Sequence, residues 1–238
     1  MKKTIVSIVL VAFVATGCSP LFYTPNTQNV PLLTHKDDKN IMFAGNDNQL
    51  ELQGAYALTD AFAIQANGGL FLPRKEDNGD GGSGKFFELG GGYFTPVMDN
   101  FVFEAYGLLG FGTMENNFPS TQEDNPDSKG DISANVFRVG IQPNFGYKTK
   151  HFEVALSSRI VSLMYNNIEG DLIYKGKSQI DYLNDNKSNF LLEPALTIRG
   201  GLEKIKLQLQ YGYSHNLSNS TFRQENSFLT IGLRYSFW

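Results

Sequence analysis

Strict alternation of apolar and polar residues is the feature that most restricts the fold of this sequence. The clearest example is IKLQLQYGYS at 205–214, where Ile205, Leu207 and Leu209 are separated by lysine and glutamine. Successive side chains of a β-strand point to opposite faces, whereas an amphipathic helix needs apolar residues three and four positions apart. The pattern therefore predicts strands with one apolar face and one polar face.

The same alternation recurs through most of the chain and predicts ten strands. They are 39–46, 49–58, 61–71, 86–95, 101–114, 132–148, 151–166, 189–202, 205–215 and 227–238. The first is short, so an eight-stranded barrel with an irregular N-terminal stretch is the alternative. The composition agrees with a β-rich domain, because 238 residues include 24 Gly, 19 Phe and 11 Tyr and only 18% are charged.

The connections between these strands alternate in length as regularly as the residues do. Short turns are predicted at 59–60, 96–100, 149–150 and 203–204, and long polar loops at 72–85, 115–131, 167–188 and 217–225. Short turns at one end and long loops at the other are typical of outer-membrane barrels. Most of the segments also reach the roughly 9–11 residues needed to cross a bilayer at a tilt. The predicted fold class is all-β: an antiparallel up-and-down transmembrane β-barrel of ten strands.

The polar faces of the predicted strands carry a balanced set of charges. The candidate lumen ion-pair network comprises Glu51, Glu88, Glu104, Arg138, Glu153, Arg159, Glu193, Arg199, Lys206 and Arg234. Charges that face lipid are costly, at about 2–4 kcal/mol for Arg or Lys at the bilayer midplane, so these residues are expected to point inward and to pair. A barrel of this size is about filled by its own side chains, which predicts a polar, plugged lumen. A selective channel or a proton relay through the carboxylates is the alternative.

The first 38 residues predict export and lipid attachment. Residues 1–17 have a basic pair, a short apolar run and small residues, which together indicate a signal peptide. Cys18 follows Ala15-Thr16-Gly17 and resembles the lipid-modified cysteine of the bacterial lipobox. Residues 18–38 have three prolines and no periodicity, and are expected to form a lipidated periplasmic tether before a barrel at 39–238. No acidic run follows Ser19, so the predicted location is the outer membrane, with the anchor and the short turns facing the periplasm.

Catalytic and metal sites are not predicted by this sequence. Of the three histidines, only His215 falls at the long-loop end of a predicted strand, and its neighbour Ser214 points to the opposite face, which is poor geometry for a triad. The Asp- and Asn-rich stretches 76–85 and 122–131 lack the ligand spacing of a calcium loop. Within the first of them, GGSG is expected to be a flexible tip. We therefore expect no enzyme activity, no cofactor and no metal.

The predicted loop 167–188 is more apolar than a free loop requires, with Leu172, Ile173 and Leu183 among its residues. It is expected either to fold over the barrel mouth or to provide a docking patch for another outer-membrane protein. The expected partners are outer-membrane lipid and, through this loop, other outer-membrane proteins. A net charge of −4 argues against nucleic acid.

The stretch FYTPNTQNVPLLTHKDD at 22–38, with LELQGAYALTDAFAIQANGG at 50–69, resembles outer-membrane β-barrel lipoproteins of Bacteroidota. That resemblance implies a fold and a compartment but no activity. The expected function is a non-catalytic structural or accessory subunit of an outer-membrane assembly. The alternatives are a surface-facing hydrolase using Ser214 and His215, a narrow channel for small solutes, and a lipid-tethered lipocalin-like barrel with an apolar interior.

Overall fold

The computed structural model describes residues 19–72, 79–119 and 127–237, which form thirteen strands and one short helix. The strands are β1 (Lys39–Gly45), β2 (Gln49–Ala57), β3 (Phe62–Phe71), β4 (Gly81–Met98), β5 (Phe101–Phe118), β6 (Gly130–Lys148), β7 (Phe152–Gly170), β8 (Ile173–Tyr174), β9 (Lys177–Ser178), β10 (Ser188–Gly201), β11 (Ile205–Tyr213), β12 (His215–Asn216) and β13 (Ser227–Phe237). The helix α1 (Gln179–Asp185) has seven residues. Across these ranges no helix combines the length and the apolar character needed to cross a membrane.

Ten of the strands form a closed antiparallel barrel. Each of β1–β7, β10, β11 and β13 pairs with two neighbours, and the pairing of β1 with β13 and of β10 with β11 completes the ring. The short first strand pairs along its whole length with β2 and with β13, from Lys39 opposite Phe237 to Gly45 opposite Ile231. The ten-stranded prediction is confirmed and the eight-stranded alternative is wrong.

The two ends of the barrel differ in the way the sequence predicted. The turn end carries the short connections 58–61, 99–100, 149–151 and 202–204. The loop end carries the long ones and a single short turn, 46–48, between β1 and β2. The strands β4 to β7 extend further toward the loop end than predicted. GGSG at 81–84 is not a flexible tip, because these residues belong to β4 and pair with Asn117 to Met114 of β5. The alternating pattern does not reveal this extension of β4, because glycine has no side chain that could be classed as apolar or polar.

The segment 167–188 contributes the end of β7, the β8–β9 hairpin and α1. Its Leu172 and Leu183 are fully buried in an apolar cluster with Phe22 and Phe222. The hydroxyl of Ser178 caps the helix by accepting a hydrogen bond from the backbone N–H of Asp181. The segment therefore folds over the loop end of the barrel.

The wall is apolar outside and polar inside. On the outer face, Leu156, Leu207 and Ile231 are each 64% exposed, although their side chains are wholly apolar. Inward positions alternate with them and hold buried Glu, Arg, Gln and Asn side chains. The polar, plugged lumen is confirmed, and the lipocalin-like alternative is wrong because it needs an apolar interior.

The largest departure from the predicted organisation is the segment 19–34, which we call the strap. It was expected to be part of a free tether, but residues 25–33 are all buried inside the barrel. The strap starts at the loop end, where Leu21 N–H donates to Asn116 Oδ1 over 3.1 Å, and reaches the turn end, where Lys148 Nζ donates to Leu32 O over 2.8 Å. Its prolines favour an extended backbone, which suits a segment threaded along the barrel axis.

This path places the two ends of the described chain at opposite ends of the barrel. Ser19 lies at the loop end, not at the end with the short turns, where the anchor is expected, and Phe237 lies at the turn end. The strap descends through the lumen before β1 starts upward at Lys39. The predicted signal peptide and Cys18 lie outside the described residues.

Candidate functional site: the occupied lumen

All ten residues of the predicted network point into the lumen and are at most 5% exposed. Strand parity places them there, since each occupies an inward position between outward neighbours, most of which are apolar. They do not form one continuous network. The structure divides them into a group near the loop end, a group near the turn end and two carboxylates bound mainly by neutral groups.

The loop-end group joins Arg138 and Arg159 to Glu88 and Glu193. Arg138 Nη2 lies 2.6 Å from Glu88 Oε2, and Arg159 Nε lies 2.7 Å from Glu193 Oε2. A longer contact of 4.0 Å from Arg159 Nη1 to Glu88 Oε1 connects the two pairs. Buried ions are tolerated when they are paired and hydrogen-bonded. All four are paired here, although Arg138 Nε and Arg159 Nη1 have no hydrogen-bond partner.

The turn-end group places three cations around one carboxylate. Glu153 Oε2 accepts from Arg199 Nη1 at 2.9 Å and from Arg234 Nη1 at 2.7 Å. The ammonium of Lys206 lies 3.4 Å from the other oxygen of Glu153. One carboxylate is therefore the shared counter-ion of three cations.

Glu51 and Glu104 form no salt bridge with any of the described cations, and the strap supplies donors to both. The backbone N–H and the hydroxyl of Thr27 each donate to Glu51 Oε1 over 2.8 Å. The backbone N–H of Leu33 donates to Glu104 Oε1 over 2.9 Å. Donors from the barrel wall complete both sites, including Gln49 for Glu51 and Asn144 for Glu104.

The carbonyl groups of the strap are bound in turn by inward side chains of the wall. In each hydrogen bond a wall side chain donates to a strap backbone carbonyl, and the pairs are Gln53 to Thr27, Gln210 to Gln28, Gln142 to Asn29, Arg199 to Val30, Asn40 to Pro31 and Lys148 to Leu32. Gln210 makes a two-way contact, because its Oε1 also accepts from the backbone N–H of Gln28 at 2.6 Å. An unsatisfied backbone group in such a site is costly, so this ladder is what allows a polar peptide to occupy the lumen.

At the loop end the strap is held by tyrosines as well as by apolar packing. The Tyr23 hydroxyl donates to Glu193 Oε1 over 2.8 Å and accepts from Arg138 Nη1 at 2.9 Å. The Tyr165 hydroxyl donates to the carbonyl of Phe22. The ring of Phe22 stacks on that of Tyr182 in α1, with a distance of 5.4 Å between the ring centroids. The strap, the barrel wall and the segment 167–188, which we call the cap, thus pack against one another.

Sequence reasoning missed the strap residues that complete this site, namely Tyr23, Asn26, Thr27, Gln28 and Asn29. The available signal was the number of inward Gln and Asn residues on the strands, such as Gln53, Gln142 and Gln210. Buried amides need partners, and the charged residues alone could not supply them.

The residues of the hydrolase alternative are separated as strand parity predicts. Ser214 is buried and its hydroxyl donates to Glu193 Oε1 over 3.0 Å, whereas His215 is exposed. His35 and His151 lie exposed at the turn end, away from both. Among the residues that the structure describes, no group of three His, Cys, Asp or Glu side chains is arranged to hold a metal ion.

Comparison with known proteins finds bacterial outer-membrane β-barrels among the solved structures. The KdgM porin superposes with a TM-score of 0.38 at 10% identity, covering 84% of this chain and 99% of that chain. LpxR from Salmonella typhimurium superposes with a TM-score of 0.39 at 11% identity, covering 84% of this chain and 99% of that chain. An outer membrane channel from Pseudomonas putida F1 superposes with a TM-score of 0.38 at 11% identity, covering 89% of this chain and 98% of that chain. No family model matches the sequence, and no curated protein matches it. Similarity this low identifies no family and carries no activity to this chain.

Proposed function

We propose that the protein is a non-conducting outer-membrane β-barrel lipoprotein with a non-catalytic role, as a structural or accessory subunit of an outer-membrane assembly. The observation that carries the proposal is the occupied lumen, in which the strap is bound along its length by inward side chains. The outward apolar surface supports insertion in lipid, because so many exposed Leu, Ile and Phe side chains would be unfavourable in water.

A closed lumen is favoured over a narrow channel by the energetics of moving the strap. Its removal would leave Glu51, Glu104, Gln142 and Gln210 without their strap partners in a buried site. A buried polar group that loses its partner costs about 1–3 kcal/mol, so several such losses together oppose opening.

Conductance in planar bilayers tests the closed barrel. We expect no open-channel current from the wild-type protein, and current from a triple variant, Thr27→Gly, Gln28→Gly and Asn29→Gly, which removes the side chains from the middle of the strap. The difference in gel migration between unboiled and boiled protein serves as the control for a folded barrel in both. Open-channel current from the wild type would refute the proposal.

The direction of the strap changes the proposed side of the lipid anchor. In outer-membrane barrels the short turns face the periplasm and the long loops face outward. Cys18 is bonded to Ser19, whose place is the loop end. We therefore propose that the lipidated N-terminus lies at the cell surface, and not in the periplasm as the sequence suggested.

Epitope tags on intact cells test this arrangement. A tag inserted after Ser19 should be detected without permeabilisation, whereas a matched tag in the turn 99–100 should require it. Detection of both tags on the same side would contradict the threaded strap. Loss of labelling by a palmitate analogue in a Cys18→Ser variant tests the lipid attachment itself.

The cap formed by residues 167–188 is the proposed surface for contact with other outer-membrane proteins, as part of the same accessory role. A photo-cross-linker at the exposed Asp181 should capture a partner that the same group at Asp99, in the opposite turn, does not. Equal capture from both positions, or from neither, would count against the cap as the contact surface.

A further inference from the structure

The buried floor of the lumen at the turn end has more positive than negative charge. Among the described residues of this region the ionisable side chains that point inward are Lys148, Arg199, Lys206, Arg234, Glu104 and Glu153. Four cations thus face two carboxylates, an excess of two positive charges. Near the loop end the balance is reversed, because Arg138 and Arg159 face Glu51, Glu88 and Glu193.

The two carboxylates do not neutralise this floor. Glu153 is already shared among Arg199, Arg234 and Lys206, as described above. Glu104 is occupied by neutral donors, the N–H of Leu33 and the amide of Asn144. Charge that is buried without a counter-ion is strongly unfavourable. The floor therefore has more positive charge than its two carboxylates can balance.

Two N–H donors in the same place are buried without a hydrogen-bond partner. They are Nε of Arg234 and Nε2 of Gln208. One acceptor there, Glu153 Oε1, also lacks a hydrogen bond, with Lys206 Nζ 3.4 Å away. Unpartnered donors occur near the loop end too, at Arg138 Nε and Arg159 Nη1, but only the turn end combines them with an excess of positive charge. The amide of Gln208 is fixed in orientation, because its Oε1 accepts from Arg199 Nε at 2.7 Å. Arg234 pairs with Lys206, two residues before Gln208 on β11, so the unpaired donors and the ammonium group are neighbours on the inner wall.

The floor is open to solvent through the turn end. One cavity of about 590 Å³ is lined by Lys148, Lys206 and Glu153, and an adjoining one of about 330 Å³ is lined by Lys148 and Arg234. At the rim, Lys150 lies 3.0 Å from Glu203, and its hydrogen bond lowers the pKa of that carboxyl. The other ionisable side chains lining these cavities are His35, Lys36, Asp38, Lys39 and Asp99.

We propose that this floor, which we call the turn-end anion site, binds a small oxyanion that enters from the turn end. An oxyanion supplies the missing negative charge and acceptor atoms for the Lys206 ammonium and for Arg234 Nε, the two groups that line the turn-end cavities. Phosphate and carboxylate share the chemistry required, since both accept several charge-assisted hydrogen bonds from Arg and Lys. The site adjoins the strap ladder, because Arg199 and Lys148 also donate to strap carbonyls, but anion binding goes beyond the closed-barrel function.

Titration calorimetry of the full-length barrel in detergent tests the site, with inorganic phosphate and acetate as probes and chloride at the same ionic strength as reference. We expect at least one oxyanion to bind with a one-to-one stoichiometry. Lys206→Met, which keeps the aliphatic stem, should weaken binding at least tenfold. The matched control Lys150→Met, at the rim, should bind as the wild type does.

A complementary variant tests the charge argument in the opposite direction. Gln208→Glu places a carboxylate beside Arg199, in the positively charged floor, so it should abolish oxyanion binding and raise the thermal midpoint measured without added anion. Gel migration before and after boiling checks that each variant is a folded barrel. The proposal is overturned if phosphate and acetate bind no better than chloride, or if Lys206→Met binds as tightly as Lys150→Met.

Discussion

At the scale of single residues, Glu51 shows how the strap and the wall depend on each other. This carboxylate is 2% exposed and takes both donors of Thr27. A buried carboxylate needs a cation or hydrogen-bond donors as partners, and here a peptide segment supplies two of the donors. The consequence is that a substitution in the strap acts on the stability of the wall.

Thr27→Val tests this dependence, because valine keeps the shape and the backbone N–H but loses the hydroxyl. We expect a loss of about 1–3 kcal/mol in the free energy of unfolding, since Glu51 then lacks one of its buried donors. Urea unfolding in detergent or lipid gives the value. In a double-mutant cycle, the loss should shrink in a Glu51→Gln background. An equal loss in both backgrounds would show that the two residues are not coupled.

The inward placement of charged residues could be predicted because the direction of a side chain in a strand follows parity alone. Which of these residues would contact each other could not. Pairing depends on the stagger between strands and on what else occupies the lumen, and neither is visible in local alternation. Glu104, for example, meets Leu33 N–H rather than a cation because the strap ends beside it.

At the scale of elements, alternation could not reveal the strap, because the strap does not have an apolar face opposite a polar one. A strand in the wall separates lipid from lumen and so alternates, whereas every side of residues 25–33 meets the lumen. The three prolines and the lack of periodicity predicted a tether. They do not distinguish a free linker from a segment whose partners are side chains of distant strands.

The amide protons of the strap are expected to exchange slowly. The N–H groups of Thr27, Gln28 and Leu33 donate to buried side chains, so their exchange requires the lumen to open. Hydrogen–deuterium exchange should give protection comparable to that of peptides from β11. The peptide containing the exposed turn residue Asp60 provides the fast reference. Exchange of the strap at the rate of this turn would contradict a permanently bound segment.

At the scale of the whole molecule, the inverted distribution of polarity can be measured directly. Leu209 lies at the middle of β11 and is 44% exposed on the outer face, and Leu202 in a turn is 67% exposed. Leu209→Arg should cost about 2–4 kcal/mol of folding free energy in lipid bilayers, because it places a charge near the midplane. Leu202→Arg, at the boundary, should cost about 0–1 kcal/mol. Similar costs at the two positions would argue against a membrane around the barrel.

The threaded strap also has a consequence for biogenesis. The lumen has no room through which a chain could be fed after the ring is complete, and the first wall strand starts a few residues beyond the end of the strap. The wall must therefore be laid down around a segment that is already in position. We therefore expect the seven residue pairs that join β1 to β13 to form only after the strap is in place, which encloses it in the lumen.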